Sequence, residues 1–294
     1  MLAHYGNDKA FMDLIHKGYD IHKGTASLLF HVPYEEVTDD QRSKGKTTNF
    51  GLVYGLGNAS FAKALGHDID ESIYRTATKY LYEKYRPWDI MQYREPVCYV
   101  MTAEQAIAEL DEKIITRIAK EQKIEDVNKY REELIKAIEY FFSEPIKEAI
   151  LDAQKTKNDY FNRFPGIKQF IKEAKDVASK RGYVKTWVGS RRHFRDPARQ
   201  AYMAPNAIIQ GGCGYVMKIK LVEVNNYLKS QGAKSYLFNS VHDEIGVMIF
   251  KDEQHLIPEI NRLLADLPFR VPISWGVEWG YNWAEKQDYE EVVD

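Results

Sequence analysis

The tetrapeptide Val241-His242-Asp243-Glu244 lies between two apolar stretches, 235–240 and 245–250. A hairpin built from these stretches would place His242, Asp243 and Glu244 at its turn. A carboxylate held on a tight turn is a suitable ligand for a hard divalent cation, and two such cations a few ångströms apart drive in-line phosphoryl transfer. Aspartate is also frequent in turns for conformational reasons, so an ordinary turn is the alternative interpretation.

A second pattern consists of Arg42, Lys46, Phe50 and Tyr54, which are spaced four residues apart. Each step of four advances about 40° around an α-helix, so the four side chains share one gently spiralling stripe. The order of two cations and then two aromatic rings matches a nucleoside triphosphate, which carries phosphates at one end and a flat base at the other. Arginine and lysine bind phosphate oxygens, and aromatic rings stack against bases.

The alternative for this stripe is an amphipathic helix with exposed basic residues and aromatic core contacts. Gly51 and Gly55 are poor helix formers, which indicates that something approaches the helix closely. Asn206 and Gln210 form a third pattern, since amides one helical turn apart can hydrogen-bond bases without adding charge. Asn206 could equally be a helix cap.

The elements that must position these residues follow from local signals. Thr38 and Gln41 fit a capping box, which predicts a helix from there to about Tyr54, ended by glycines. A further helix is predicted over 72–85 and should stop at Pro87. Short strands are expected at 182–187 and 192–194, a helix over 204–228, the hairpin around Asp243, and a strand over 271–279.

Residues 88–156 read as an inserted helical subdomain with a break at 143–145. Apolar residues recur at helical spacing over 107–118, at Ile107, Leu110, Ile114 and Ile118, and again at Leu134, Ile138 and Phe141. The whole chain of 294 residues has a net charge of −2, which divides into −5 for residues 88–156 and +3 for the remainder. The two cysteines, Cys98 and Cys213, form no disulfide framework or zinc spacing, which suits a reducing compartment. No signal peptide or membrane-spanning stretch is predicted.

In sequence order, Arg42, Lys46, Phe50 and Tyr54-Gly55 resemble motif B of the family A DNA polymerases, the bacterial polymerase I and related phage type. Val241-His242-Asp243-Glu244 is similar to motif C of that family, and Asn206 with Gln210-Gly211 matches between them. The resemblance covers nearly the whole chain outside 88–156. It implies an α+β fold, with mainly helical fingers and a palm that has a small antiparallel sheet, as part of a right-hand polymerase.

The resemblance also implies roles for individual residues. Arg42 and Lys46 would bind the incoming deoxynucleoside triphosphate, Lys46 would also protonate the pyrophosphate leaving group, and Phe50 would pack on the deoxyribose. Asp243 would be a catalytic metal ligand and Glu244 a secondary one, for two Mg²⁺ ions. The residues expected at the primer-template are Tyr54, Asn206, Gln210 and His242.

The sequence departs from the family at several points. Tyr202 stands where a basic residue is expected one turn before Asn206, and 88–156 is not typical. Motif A, with the first metal-binding aspartate, would end just before Met1, and no thumb or exonuclease region is recognisable. Asp8 or Asp20 could replace the missing aspartate only from segments that resemble fingers helices.

We therefore expect a fingers-like region at 1–194 and the C-terminal part of the palm at 195–294. The chain would be one subunit of a split DNA polymerase, acting in the cytoplasm of a bacterial or phage-infected cell. A second polypeptide would supply motif A, the thumb and an exonuclease, and 88–156 would dock an accessory protein. The alternatives are a non-catalytic module that binds primer-template DNA and a fragment of a longer single-chain enzyme.

Overall fold

A computed structural model describes residues 1–92, 101–282 and 284–289, with the backbone alone over 86–92. The chain forms two compact units. The central unit is Thr25–Tyr160, and the terminal unit joins Met1–Gly24 to Phe161–Asp294. Within the described residues, no helix combines the length and the apolar character needed to cross a membrane.

The central unit is helical. Its helices, some of which extend past the unit boundaries, are α3 (Ile21–Phe30), α4 (Asp39–Val53), α5 (Asn58–Leu65), α6 (Glu71–Gln92), α7 (Ala103–Ala108), α8 (Glu112–Glu121), α9 (Val127–Phe141) and α10 (Glu144–Arg163), with a 3₁₀ turn at Tyr34–Glu36. Helices α6 to α9 share one apolar core that includes the fully buried Tyr80, Ile118 and Leu134. The break predicted near residue 143 is confirmed, since α9 ends at Phe141 and α10 begins at Glu144.

The terminal unit combines helices with short strands. Its helices are α1 (Leu2–Gly6), α2 (Lys9–His16), α11 (Pro165–Arg181), α12 (Pro197–Gln200), α13 (Ala204–Ser230) and α14 (Ile257–Ala265), with 3₁₀ turns at Ala201–Met203 and Lys251–Leu256. Its strands are β1 (Tyr183–Lys185), β2 (Arg191–His193), β3 (Tyr236–Val241), β4 (Glu244–Met248), β5 (Glu278–Trp279) and β6 (Gln287–Asp288). They pair in order as two-stranded antiparallel sheets. The predicted α+β class is confirmed.

The core of the terminal unit lies between α13, α14 and the β3–β4 hairpin. Val224 and Leu228 of α13 pack with Ile260 and Leu264 of α14. Hairpin side chains that face this core include Leu237, Ile245 and Val247. One face of the hairpin is therefore partly buried, which fixes its register against α13.

Three boundary predictions are wrong. Helix α6 continues to Gln92 rather than stopping at Pro87. Ala77, Tyr80 and Leu81 anchor the helix in the core. A proline inside a helix costs only about 3 kcal/mol, which this packing can offset. The periodic stretch 107–118 is divided between α7 and α8, because Asp111 caps α8. The strand predicted over 271–279 is reduced to Glu278–Trp279. The predicted division at residue 194 concerns polymerase subdomains and stays a prediction. Residues 93–100 of the predicted insertion, among them Cys98, lie outside the described residues.

Candidate active site

Helix α4 carries the predicted stripe, and its start is fixed by its own sequence. The backbone N–H of Gln41 donates to the Thr38 hydroxyl at 3.3 Å, and the N–H of Thr38 donates to Gln41 Oε1 at 3.0 Å. The predicted capping box is therefore present.

The end of α4 follows directly after the stripe. The N–H of Leu56 donates to the carbonyl of Gly51 at 2.7 Å, and that of Gly55 to the carbonyl of Leu52 at 3.3 Å, which is a Schellman motif. Gly55 supplies the positive φ of 79°. A Cβ on Gly51 would lie 2.8 Å from Leu56 Cδ2. Both glycines thus have a role within the helix end, so they do not by themselves indicate an approaching ligand.

The stripe lies on the outer side of α4. Lys46 and Phe50 are exposed, and Arg42 and Tyr54 are half-buried. The rings of Phe50 and Tyr54 lie 5.9 Å apart, tilted by 33°. Lys44 is on the same helix but is engaged elsewhere, since its Nζ lies 2.9 Å from Asp40 Oδ2. The predicted order of cations followed by aromatics is thus available on one helix surface of the central unit.

The predicted hairpin is present in the terminal unit. Val241 pairs with Glu244, so the turn consists of His242 and Asp243 alone and Glu244 is the first residue of β4. His242 adopts a left-handed φ of 52°, which a tight hairpin turn requires. The side chains of His242, Asp243 and Glu244 are exposed. The two carboxylates are therefore accessible to a cation.

The base of this hairpin is closed by a polar cluster that the sequence reasoning missed. Glu253 accepts from the Ser235 hydroxyl at 2.5 Å and from the backbone N–H of Lys234 at 2.8 Å. The Ser235 hydroxyl in turn accepts from the N–H of Phe250 at 3.0 Å. These bonds tie the two strand ends together, which steadies the turn at the other end.

Cys213 of α13 lies near Asp243. Cys213 is an exposed residue, but partial burial of its thiol raises the thiol pKa, while the Met1 amino group lowers it and the carboxylate of Asp243 raises it. Burial in turn lowers the pKa of the Met1 amino group. Cys213, in the middle of α13, is thus an electrostatic neighbour of both the Met1 amino group and the turn carboxylate, a proximity for which the sequence carries no signal.

Helix α13 presents Asn206 and Gln210 one turn apart. Asn206 is the third residue of the helix and not its cap, so that alternative is wrong. Its Oδ1 is buried, and no described residue hydrogen-bonds it. Gln210 is exposed. Tyr202, which replaces the expected basic residue, is also exposed, in the turn before α13.

The glycines after Gln210 allow close packing of α13. The Trp187 indole N–H donates to the carbonyl of Gly212 at 3.1 Å. A Cβ on Gly212 would collide with Met1 Cε at 2.3 Å, and one on Gly211 would lie 3.1 Å from Thr186 Cγ2. These glycines therefore serve packing within the terminal unit.

The two aspartates considered as substitutes for the missing one are helix caps. Asp8 accepts from the N–H of Phe11 at 3.1 Å with one oxygen and from that of Gly166 at 2.8 Å with the other. Asp20 accepts from the N–H groups of His22 and Lys23 at 2.8 and 3.0 Å. Because both carboxylates cap backbone groups, neither is a suitable second metal ligand.

A Mg²⁺ site cannot be completed from the part of the chain that the structure describes. It contains no group of three or more His, Cys, Asp or Glu side chains placed to hold a metal ion. The hard oxygens of Asp243 and Glu244 suit Mg²⁺, but this cation prefers six ligands in octahedral geometry. Asp243 and Glu244 therefore fit part of the ligand set of a Mg²⁺ ion.

Known proteins resemble this chain over most of its length. A model of DNA polymerase family A matches residues 1–140 and 137–285. DNA polymerase I of Chloroflexus aurantiacus is 26% identical over 295 residues, which cover 97% of this chain and 23% of the relative. That of Borreliella burgdorferi is 23% identical and covers 97% of this chain and 24% of the relative. The chain thus spans about a quarter of the length of these curated relatives.

A solved structure shares the fold. The polymerase domain of Pol1 from M. smegmatis, in complex with DNA primer-template and dNTP, matches with a TM-score of 0.58 at 22% identity, over 92% of this chain and 35% of that one. The resemblance drawn from the sequence is confirmed. Since the family model matches segments that include both the α4 stripe and the Asp243 hairpin, this chain belongs to DNA polymerase family A.

Proposed function

We propose that the chain takes part in template-directed DNA synthesis, in which deoxynucleotides are added to a primer 3′ end. The observation that carries the proposal is the outer surface of α4, where exposed Lys46 and Phe50 follow one another toward the half-buried Tyr54. The structural neighbour was solved with primer-template and dNTP, which supports the same ligands for this chain.

The proposed roles follow the order of the stripe. Arg42 and Lys46 bind the triphosphate oxygens, Phe50 packs on the deoxyribose, and Tyr54 lies at the base and template. Lys46 is also proposed to protonate the leaving pyrophosphate, a role supported by the exposure of its side chain.

Primer-template contacts are proposed for the terminal unit. Asn206 is proposed to contact primer and template, a role supported by its Oδ1, which accepts no hydrogen bond from a described residue and so has acceptor capacity left. Gln210 lies one helical turn further along α13 and is exposed. His242, at the turn, is proposed to contact the primer terminus.

We propose Asp243 as the principal metal ligand and Glu244 as the secondary one, for two Mg²⁺ ions. Asp243 and Glu244 would hold Mg²⁺ there, and the bound ion would supply charge neutralisation at the phosphates and activation of the primer hydroxyl. The remaining carboxylate comes from a second polypeptide that carries motif A, the thumb and an exonuclease. Without that partner we expect no synthesis.

The outer face of the β3–β4 hairpin supports a partner. The large side chains there are 42–51% exposed, namely Tyr236, Phe238, Met248 and, just after β4, Phe250. The side chains of the inner face are partly buried. Among the described residues, β3 and β4 pair only with each other, so each strand has a free edge to which another chain can add a strand. Large apolar side chains grouped on one exposed face are typical of a protein interface.

Two lysines of α4 provide a matched test. Lys46→Ala should weaken binding of Mg-dATP to the purified chain about tenfold, since charged hydrogen bonds contribute roughly 1.5–3 kcal/mol. Lys44→Ala should leave it unchanged, because Lys44 is paired with Asp40. Equal effects of the two substitutions, measured by isothermal titration calorimetry, would refute the assignment of the stripe.

Primer extension tests the need for a partner. The chain alone and the chain with the products of neighbouring genes are compared, and Asp243→Ala should abolish extension in the mixture. Synthesis by the chain alone, or a gene that encodes motif A in the same reading frame, would contradict the split enzyme.

The second candidate function is a non-catalytic module that holds primer-template DNA. It is favoured by the incomplete metal-ligand set of the described residues and by the exposed basic strand Arg191–His193. This module would retain DNA without turnover even when the motif A partner is present.

Residues 88–156 are proposed to dock an accessory protein. Deleting them would uncover Tyr80 and Leu81 of α6, so charge reversal is the cleaner test. Glu132→Lys with Glu133→Lys, on the exposed side of α9, should reduce processivity more than single-nucleotide incorporation. A larger loss of single-nucleotide incorporation than of processivity would refute the docking role.

A further inference from the structure

The buried face of α4 contains a polar network behind the stripe. The Tyr160 hydroxyl donates to Asn49 Oδ1 at 3.0 Å, and Asn49 Nδ2 donates to Thr25 Oγ1 at 2.9 Å. Thr25, Asn49 and Tyr160 are 0%, 4% and 2% exposed. Because these groups are shielded from water, loss of a partner is costly, and the network strongly prefers one arrangement.

The three residues of the network come from three different helices. Thr25 lies on α3, Asn49 on α4 and Tyr160 on α10. The central unit begins at Thr25 and ends at Tyr160, so the network ties α4 to both ends of that unit. Asn49 directly precedes Phe50 of the stripe.

The network restricts how α4 can rotate about its axis. Apolar contacts are non-directional, and the buried face of α4 has few of them, with Leu52 and Val53 beside Gly45, Thr48 and Asn49. Hydrogen bonds require defined distances and angles. Successive helix residues are about 100° apart, so fixing Asn49 also fixes the direction of Phe50 and Lys46.

We propose that Asn49, held by Thr25 and Tyr160, is a positioning residue for nucleotide binding. It touches neither phosphate nor base, but it holds α4 in the rotation that presents Lys46 and Phe50 to a deoxynucleoside triphosphate. This inference rests on the proposed function of the stripe.

Tyr160→Phe tests the network by removing one hydroxyl. Affinity of the full chain for Mg-dATP, measured by calorimetry, should fall about fivefold, the effect expected for loss of one buried hydrogen bond. Tyr130→Phe is the matched control, because Tyr130 is also buried in the central unit but its hydroxyl bonds to no described residue. That variant should bind Mg-dATP as the wild type does.

Substitutions at Thr25 separate positioning from loss of packing. Thr25→Ser keeps the hydroxyl and should preserve affinity, whereas Thr25→Val keeps the volume and should lower it as Tyr160→Phe does. Hydrogen exchange of the α4 amides should accelerate only in the two weakened variants.

The outcomes are distinguishable. A wild-type chain that binds no Mg-dATP overturns the proposed function together with this inference. Normal wild-type binding with unchanged affinity in Tyr160→Phe, or an equal loss in Tyr130→Phe, overturns the inference alone.

Discussion

At the scale of single residues, the placement of Asp243 can be tested without catalysis. Its carboxylate is one of the groups that raise the pKa of the Cys213 thiol, although burial is the largest cause. Asp243→Asn should therefore lower the thiol pKa while leaving it above its ordinary value. Alkylation of Cys213 by iodoacetamide, followed by peptide mass spectrometry across a range of pH, should be faster in the variant.

The control for this experiment is Asp252→Asn. Asp252 is an exposed carboxylate beyond the hairpin base, paired at 3.2 Å with Lys234. Its replacement should leave the alkylation rate of Cys213 unchanged. If Asp243→Asn also leaves the rate unchanged, the turn is not beside α13 as described.

Glu253 makes the stability of the hairpin base depend on pH. Its hydrogen bond from Ser235 is the first cause that lowers its pKa, followed by that from the Lys234 backbone. A lowered folded-state pKa means that the stabilisation is complete above the unfolded-state value of about 4.3 and is lost as pH falls through the folded-state pKa. Glu253→Gln should thus lower the free energy of unfolding at about pH 7 but much less at about pH 3.5.

Urea denaturation at both pH values measures this difference. Glu132→Gln replaces an exposed glutamate of α9 and should show no comparable change with pH. An equal stability difference between wild type and Glu253→Gln at both pH values would contradict the proposed role of the carboxylate.

At the scale of elements, the two capping boxes form a natural comparison. Thr38 caps α4 and Thr102 caps α7, each with a glutamine three residues on. Thr38→Ala and Thr102→Ala should each cost about 1 kcal/mol of stability. Only Thr38→Ala should also weaken Mg-dATP binding, because only α4 carries the stripe. Urea denaturation and calorimetry give the two quantities, and weakened binding in Thr102→Ala would show that the effect is not specific to α4.

Local signals explain which elements the sequence predicts well. Thr38 and Gly55 act within a few residues of the helix ends they define, so both ends of α4 were predictable. The end of α6 depends instead on a core shared with α8 and α9, which a proline signal does not report.

The same distinction applies to the site. The stripe from Arg42 to Tyr54 can be recognised from the spacing of residues within one segment, and so can the hairpin turn. The network of Thr25, Asn49 and Tyr160 joins residues up to 135 positions apart, and no local pattern links them. The closeness of Cys213 to Asp243 likewise arises only from packing of α13 near the hairpin.

At the scale of the whole molecule, the proposed stripe and the proposed metal ligands belong to different compact units. Residues 42–54 lie in the central unit, and Asn206, Gln210 and Asp243 lie in the terminal unit. The second polypeptide proposed above would bring its carboxylate to Asp243, and so it would bind the terminal unit. The exposed outer face of the β3–β4 hairpin is the surface proposed for it.

Tyr236→Lys with Met248→Lys tests this surface. The two residues are paired across the strands and exposed on the outer face, so charges there should oppose burial by a partner without disturbing the inner core. With the partner titrated against the chain, half-maximal primer extension should need at least about tenfold more partner, a change of ~1.4 kcal/mol. Saturating partner should restore the rate.

Tyr82→Lys is the control, since Tyr82 is similarly exposed but lies on α6 of the central unit. It should leave the titration curve unchanged, and circular dichroism should show the same melting temperature for all variants. A hairpin variant that assembles at wild-type partner concentrations would place the partner elsewhere, because a buried apolar face cannot accept two uncompensated ammonium groups without losing affinity.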